Sequence, residues 1–186
     1  MNNKIDLSKI LNKKTLIIGE VGTGKTRLLI HLVRQLISNE LSTKVTVIDM
    51  APPKIFNIGG RVLDYDASLC AKIRYLYSDD IRPPRLTGKT PDEVLKIAAK
   101  NYEITDKLID RYILNPTDIL LINDLTIYAH AGDASKLNIV IKNAATFVGT
   151  AYYGNKLSDD KGSGITIKEK QYIEDLSNIV DCIVKL

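Results

Sequence analysis

Tryptophan is absent from this chain of 186 residues, and nine tyrosines and two phenylalanines are all its aromatics. There are only two cysteines, Cys70 and Cys182. They lie far apart in apolar surroundings, with no C-x-x-C and no Cys/His cluster. That excludes a disulfide framework and a cysteine-built metal site, and two small buried thiols in a reducing cytosol are expected. His31 and His130 stand alone in their segments and read as surface or packing residues. No apolar run reaches the roughly 18 residues of a membrane span. Met1 to Lys14 lacks the apolar stretch of a secretory leader, so a cytoplasmic location without a membrane partner is expected. No repeat or low-complexity segment stands out. The net charge of +4 comes from interspersed residues, which permits nucleic acid or phosphate partners without demanding them. What remains is 45% apolar, dominated by Ile, Leu and Val, as in a globular α/β protein. The length points to a single domain over 1–186.

The informative stretch is Gly19-Glu20-Val21-Gly22-Thr23-Gly24-Lys25-Thr26, which fits G-x-x-x-x-G-K-[ST]. Thr15-Leu16-Ile17-Ile18 before it reads as a buried strand. Arg27 to Ser38 after it carries Leu29, Leu32, Val33, Leu36 and Ile37 at helical spacing. A strand, a glycine turn and a helix are what phosphate binding requires. Glycines let the backbone approach a ligand closely. The loop's N–H groups, Val21 and Arg27 at its flanks included, then converge on phosphate oxygens at the positive end of a helix dipole. Lys25 is expected to reach the β- and γ-phosphates of ATP, and Thr26 to place its hydroxyl on Mg²⁺.

Further strands are expected at Lys44–Asp49, Ile73–Tyr77, Ile119–Ile122, Thr146–Ala151 and Ile179–Leu186. Gly59-Gly60 reads as a turn, and Asp79 to Gly88, with Pro83-Pro84, as a loop. Thr90-Pro91-Asp92-Glu93 is a helix start: a Thr cap, Pro at the first helical position and Glu three residues on. That helix runs to Ile113. Others are expected at Lys136–Asn143 and Lys168–Ser177, with a helix start near Ala67. Apolar strands alternating with helices predict a three-layer α/β sandwich, a mostly parallel sheet with helices on both faces. Ligands of such sheets sit beyond the carboxyl ends of the strands.

Those ends supply the partners of Lys25. Four apolar residues, Ile119 to Ile122, precede Asn123 and Asp124. A carboxylate there binds Mg²⁺ across from Thr26. The usual acid position holds Asn123, a weaker ligand for a hard cation, so either Asp124 takes the metal role or the metal site is weakened. Asp49 ends the second expected strand, where a carboxylate can act as general base. Tyr152 ends the fifth, as a packing aromatic or a γ-phosphate sensor.

The loop at 19–26, the strand order, Ile122-Asn123-Asp124-Leu125-Thr126 and the ending Ile173–Leu186 resemble the RecA/KaiC-like branch of P-loop ATPases. The resemblance implies a central parallel sheet, ATP and Mg²⁺. It also implies a catalytic Glu just after the second strand, where this chain has Asp49, Met50 and Ala51, so slow hydrolysis is expected. In that family the loops after the fourth and fifth strands contact DNA, which makes Asn155–Gly164, with Lys156 and Lys161, a candidate nucleic-acid contact. The segment has no aromatic after Tyr153 on which bases would stack. Asn155-Lys156-Leu157-Ser158-Asp159 misses the guanine-reading Asn-Lys-x-Asp by one place, and no D-x-x-G follows the fourth strand, which favours ATP over GTP. The Arg82–Lys89 loop carries three cations and could lend an arginine to a neighbouring copy's phosphate, bind a phosphate backbone, or simply be solvated. Three functions follow: a slow Mg-dependent ATPase acting through a homo-oligomer or a partner, a nucleotide-gated binding module with little hydrolysis, and a small-molecule or nucleotide kinase.

Overall fold

The computed structural model describes residues 5–54 and 60–186; Gly59 of the expected Gly59-Gly60 turn lies outside them. A 3₁₀ turn at Leu7–Lys9 leads into β1 (Lys14–Gly19), which hands over to α1 (Lys25–Ser38). Then come β2 (Val45–Asp49), α2 (Val62–Tyr65), α3 (Ala67–Cys70), β3 (Arg74–Leu76) and α4 (Pro84–Thr87). The second half is α5 (Pro91–Ile113), β4 (Ile119–Asn123), α6 (Thr126–Ala129), α7 (Ser135–Asn143), β5 (Thr146–Tyr152), α8 (Ile165–Ser177) and β6 (Cys182–Lys185).

The six strands form one sheet in the order β3-β2-β4-β5-β1-β6, every pair parallel. This is the expected α/β sandwich. Strand alternation sorts the side chains to two faces. Ile17, Val45, Val47 and Leu121 join α1 in one apolar cluster, while Leu16, Ile18, Ile48 and Ile122 join α5 to α8 in the other. On α1, Leu29, Leu32, Val33 and Leu36 are fully buried. Each contributes about 1.5–3 kcal/mol by leaving water, and this stripe docks the helix that follows the glycine loop.

The helix at α5 starts as its sequence dictates. Thr90 Oγ1 accepts from Glu93 N at 3.2 Å, and Pro91 takes the first helical position. Register then sets the site. Gly19 pairs with Tyr152, and Asp49 with Asn123, so β1, β5, β4 and β2 end together at one edge of the sheet.

Two expectations are corrected here. The loop at 79–88 contains the short helix α4, which Pro84 can begin because its missing N–H would have no partner in a first turn. Cys182 is exposed, because it sits on the edge strand β6; only Cys70 is buried, and both are free thiols. No helix among the described residues is long and apolar enough to cross a membrane.

Candidate functional site

The chain from Gly19 to Lys25 turns back sharply, and two glycines make the turn. Gly22 and Gly24 have φ of 80° and 96°, left-handed values that a Cβ would strain. Gly19 is required for a different reason. A Cβ there would lie 2.5 Å from the carbonyl oxygen of Leu186, which closes in from the neighbouring β6. Thr23 braces the turn, its hydroxyl donating to Glu20 O at 2.9 Å. Gly24 caps α1, whose first residues line a cavity of about 390 Å³.

Val21, Gly22, Gly24, Lys25, Thr26 and Arg27 line that cavity together with Asn123, Asp124, Thr150 and Tyr152. The Lys25 ammonium donates to Gly19 O at 2.7 Å and Glu20 O at 2.6 Å, and lies 5.9 Å from the centre of the Tyr152 ring. Burial lowers its pKa, while Asp124 and Glu20 oppose the fall. Lys25 is thus a desolvated cation held by two carbonyls, ready to exchange them for anionic oxygens. Glu20 faces the other way. Its carboxylate accepts from Asn155 N at 2.5 Å and from Lys156 N, bonds that lower its pKa.

Asn123 is the hinge of the polar network. Its amide nitrogen donates to Asp49 Oδ1 at 2.9 Å and to Gly60 O at 3.3 Å, both pure acceptors, which fixes the amide's orientation. Its oxygen must therefore face the cavity. There it accepts from Thr26 Oγ1 at 3.2 Å and Thr150 Oγ1 at 3.0 Å. The hydroxyl expected at the metal is thus held by an amide oxygen at the position expected for an acid.

Asp49 ends β2 as expected, but its carboxylate does not open on the cavity. It is fully buried and does not line the cavity. Oδ1 accepts from Ala51 N and Asn123, and Oδ2 from Val62 N at 2.6 Å and Tyr75 OH at 2.7 Å. Burial pushes its pKa up to about 6 against those four donors. With both oxygens accepting two hydrogen bonds each, it organises Asn123 and does not line the cavity.

Asp124, by contrast, does line the cavity. Its φ of 61° is left-handed, a cost of about 1 kcal/mol for a non-glycine residue. Thr150 Oγ1 receives its N–H at 2.9 Å, and Thr126 Oγ1 donates to its Oδ1 at 2.7 Å. Burial raises its pKa.

The fit to Mg²⁺ can be tested on these donors. No group of three His, Cys, Asp or Glu side chains among the described residues could hold a metal. Mg²⁺, however, is normally carried by one carboxylate plus substrate phosphates and water. Thr26 Oγ1, Asn123 Oδ1 and the Asp124 carboxylate fit an ion that arrives with a polyphosphate.

The opposite wall was not foreseen. Arg85 on α4 forms an ion pair with Glu169 on α8, and His130, just after α6, lies against both. All three line the cavity. His130 is therefore no lone packing residue. Glu169 had a readable signal: it sits on the inward stripe of α8 with Ile165, Tyr172, Ile173 and Leu176, where an apolar residue belongs. His130 had none. In the 82–89 segment, Arg82 stays on its own loop, donating to Asp79 O, and only Arg85 turns inward. The 155–164 segment is pinned by Glu20 and by Leu157 N donating to Tyr152 OH at 2.8 Å.

No family profile matches this chain, and no curated protein sequence does. Among solved structures it is similar to the flagellar accessory protein FlaH from Methanocaldococcus jannaschii, at 12% identity and a TM-score of 0.47, over 86% of this chain and 69% of that one. It is also similar to Pif1 helicase from Candida albicans, at 17% identity and a TM-score of 0.38, over 94% of this chain and 36% of that one. These are loose likenesses of architecture, and what the chain binds is read from its own residues.

Proposed function

We propose that this chain is a cytoplasmic P-loop protein that binds ATP with Mg²⁺ and hydrolyses it slowly. The observation that carries this reading is the cavity at the β1–α1 junction. There a desolvated Lys25, two left-handed glycines and a helix N-terminus converge on the space faced by Thr26 and Asp124. The loop amides and Lys25 grip the β- and γ-phosphates. Thr26, with Asn123 behind it, and Asp124 receive the metal side of the nucleotide. Bound Mg²⁺ would neutralise charge developing on the transferred phosphoryl group.

Slow turnover follows from two placements. The amide of Asn123 carries no charge, and Asp49 is enclosed by four donors and unable to take a proton from a water in the cavity. The same placements support a second reading, a nucleotide-gated module whose product is a change of partner rather than phosphate. A net charge of +4 accommodates nucleic acid as that partner, and a homo-oligomer or a second protein are the other choices.

Calorimetry with ATP and Mg²⁺ tests binding, and phosphate release with and without single- and double-stranded DNA tests turnover. Lys25→Ala is expected to abolish both. A wild-type protein that shows no heat with ATP or GTP refutes nucleotide binding. Turnover of several per second refutes the slow reading.

A further inference from the structure

The pair of Arg85 and Glu169 is poorly explained as a structural element. Their side chains are 8% and 3% exposed, and that of His130 is 1% exposed. Removing two opposite charges from water is repaid only when the remaining donors and acceptors are satisfied. Here they are not. Arg85 Nε, Glu169 Oε1 and His130 Nδ1 are buried without a hydrogen-bond partner. His130 Nε2 approaches Glu169 Oε1 only to 3.5 Å and Arg85 Nη1 to 3.4 Å. A second Arg85 contact, to Thr166 Oγ1, is long at 3.3 Å. The three groups wall the cavity into which Lys25 and Thr26 also project. Glu169 is near enough for its charge to act on both Lys25 and Asp124.

We propose that Arg85 is a γ-phosphate-reading arginine supplied by the chain itself, held on Glu169 until a triphosphate draws it away. This rests on the nucleotide-binding reading above. A guanidinium is always charged and presents its donors as a planar fork matched to phosphate oxygens. Arg85 already hangs inside the cavity, from a short helix begun by Pro83-Pro84. Glu169 gives it a partner that a third phosphate outcompetes, because the phosphate brings more charge and more acceptor atoms. A diphosphate ends short of it. The exchange reads the length of the phosphate chain. It also breaks the Arg85–Glu169 ion pair, which ties α4 to α8 across the cavity. The expectation of an arginine lent to a neighbouring copy is thereby replaced by one acting within the chain.

The test is calorimetric titration with Mg-ADP and with a non-hydrolysable Mg-ATP analogue. Wild type is expected to favour the triphosphate. Arg85→Ala is expected to lose about ten- to a hundredfold in triphosphate affinity, the worth of one charge-assisted hydrogen-bond pair, while ADP affinity holds. Arg85→Lys, which keeps the charge and loses the fork, falls between. Glu169→Gln, which keeps the volume and frees Arg85, is expected to raise triphosphate affinity. It also keeps the test decisive if Arg85→Ala does not fold. Equal losses for both nucleotides, an unchanged ratio in the Arg85 variants, or weaker triphosphate binding in Glu169→Gln overturns the proposal and leaves nucleotide binding intact. If the wild type binds neither nucleotide, both readings fall.

Discussion

Replacing Asn123 by aspartate would restore the acid usual at the end of this strand, and the structure implies that it harms the protein. The Asn123 amide nitrogen lies 2.9 Å from Asp49 Oδ1. In Asn123→Asp that donor becomes a carboxylate oxygen facing another. Two unit charges about 4 Å apart, at an effective dielectric of about 20, repel by about 4 kcal/mol. The pair escapes by keeping one proton. At about 1.4 kcal/mol for each pKa unit, that lifts the pair's upper pKa by about three. Asp49 is already at about 6 through burial, so the upper step moves above neutrality. The folded variant then holds a proton that the unfolded chain, with ordinary carboxylates near 4, has released. Stability therefore falls as pH rises from about 4 through the folded value. Urea midpoints are the assay. Near pH 5 the variant is expected to approach wild type, because the shared proton replaces the lost amide hydrogen. Near pH 8 it is expected to lose about 3–4 kcal/mol. The exchanged double variant, Asp49→Asn with Asn123→Asp, again sets an amide against a carboxylate and is expected to recover more than half. Equal losses at pH 5 and pH 8, or a double variant as unstable as the single one, would refute the reasoning.

Wild type should show a weaker form of the same slope. With Asp49 raised to about 6, its urea midpoint is expected to decline between about pH 4 and pH 6 and then level. Tyr75→Phe removes the hydroxyl that donates to Asp49 Oδ2 at 2.7 Å, so a loss of about 1–3 kcal/mol is expected in thermal or urea unfolding. Gly154→Ala places a Cβ 2.2 Å from the Glu20 carboxyl carbon. The Glu20 bonds to Asn155 and Lys156 should break, with faster amide exchange at 155–157 and an unchanged core. Thr90→Ala deletes the cap of α5 and is expected to cost about 1 kcal/mol by the same unfolding assay.

The architecture was legible because apolar runs and glycine breaks are local signals. Leu16 to Ile18 and Ile119 to Ile122 are buried on both faces, so they are continuous apolar runs, and the sheet is all-parallel. The glycine loop at 19–26 was legible as a turn for the same reason, since its glycines serve their own backbone. The partners of that loop were harder. Asp49 closes a strand in the place of a catalytic acid, but its role is set by Tyr75 and Val62, many residues away and invisible to spacing. Arg85, His130 and Glu169 meet across three elements separated by 45 and 39 residues, and only the lone carboxylate on the apolar face of α8 hinted at the meeting. The short helices α2, α4 and α6 carry four residues each, too few for a period to register.

The Glu20 carboxylate clasps the amides of Asn155 and Lys156, while Lys25 leans on the carbonyl of the same Glu20. A phosphate that drew Lys25 off that carbonyl would loosen the peptide from which the clasp extends. Under the proposed nucleotide binding, the outer face built by residues 153–164 would be geared to the occupancy of the pocket through Glu20. It would report a filled or empty pocket to anything resting on it, with no movement required of the sheet beneath.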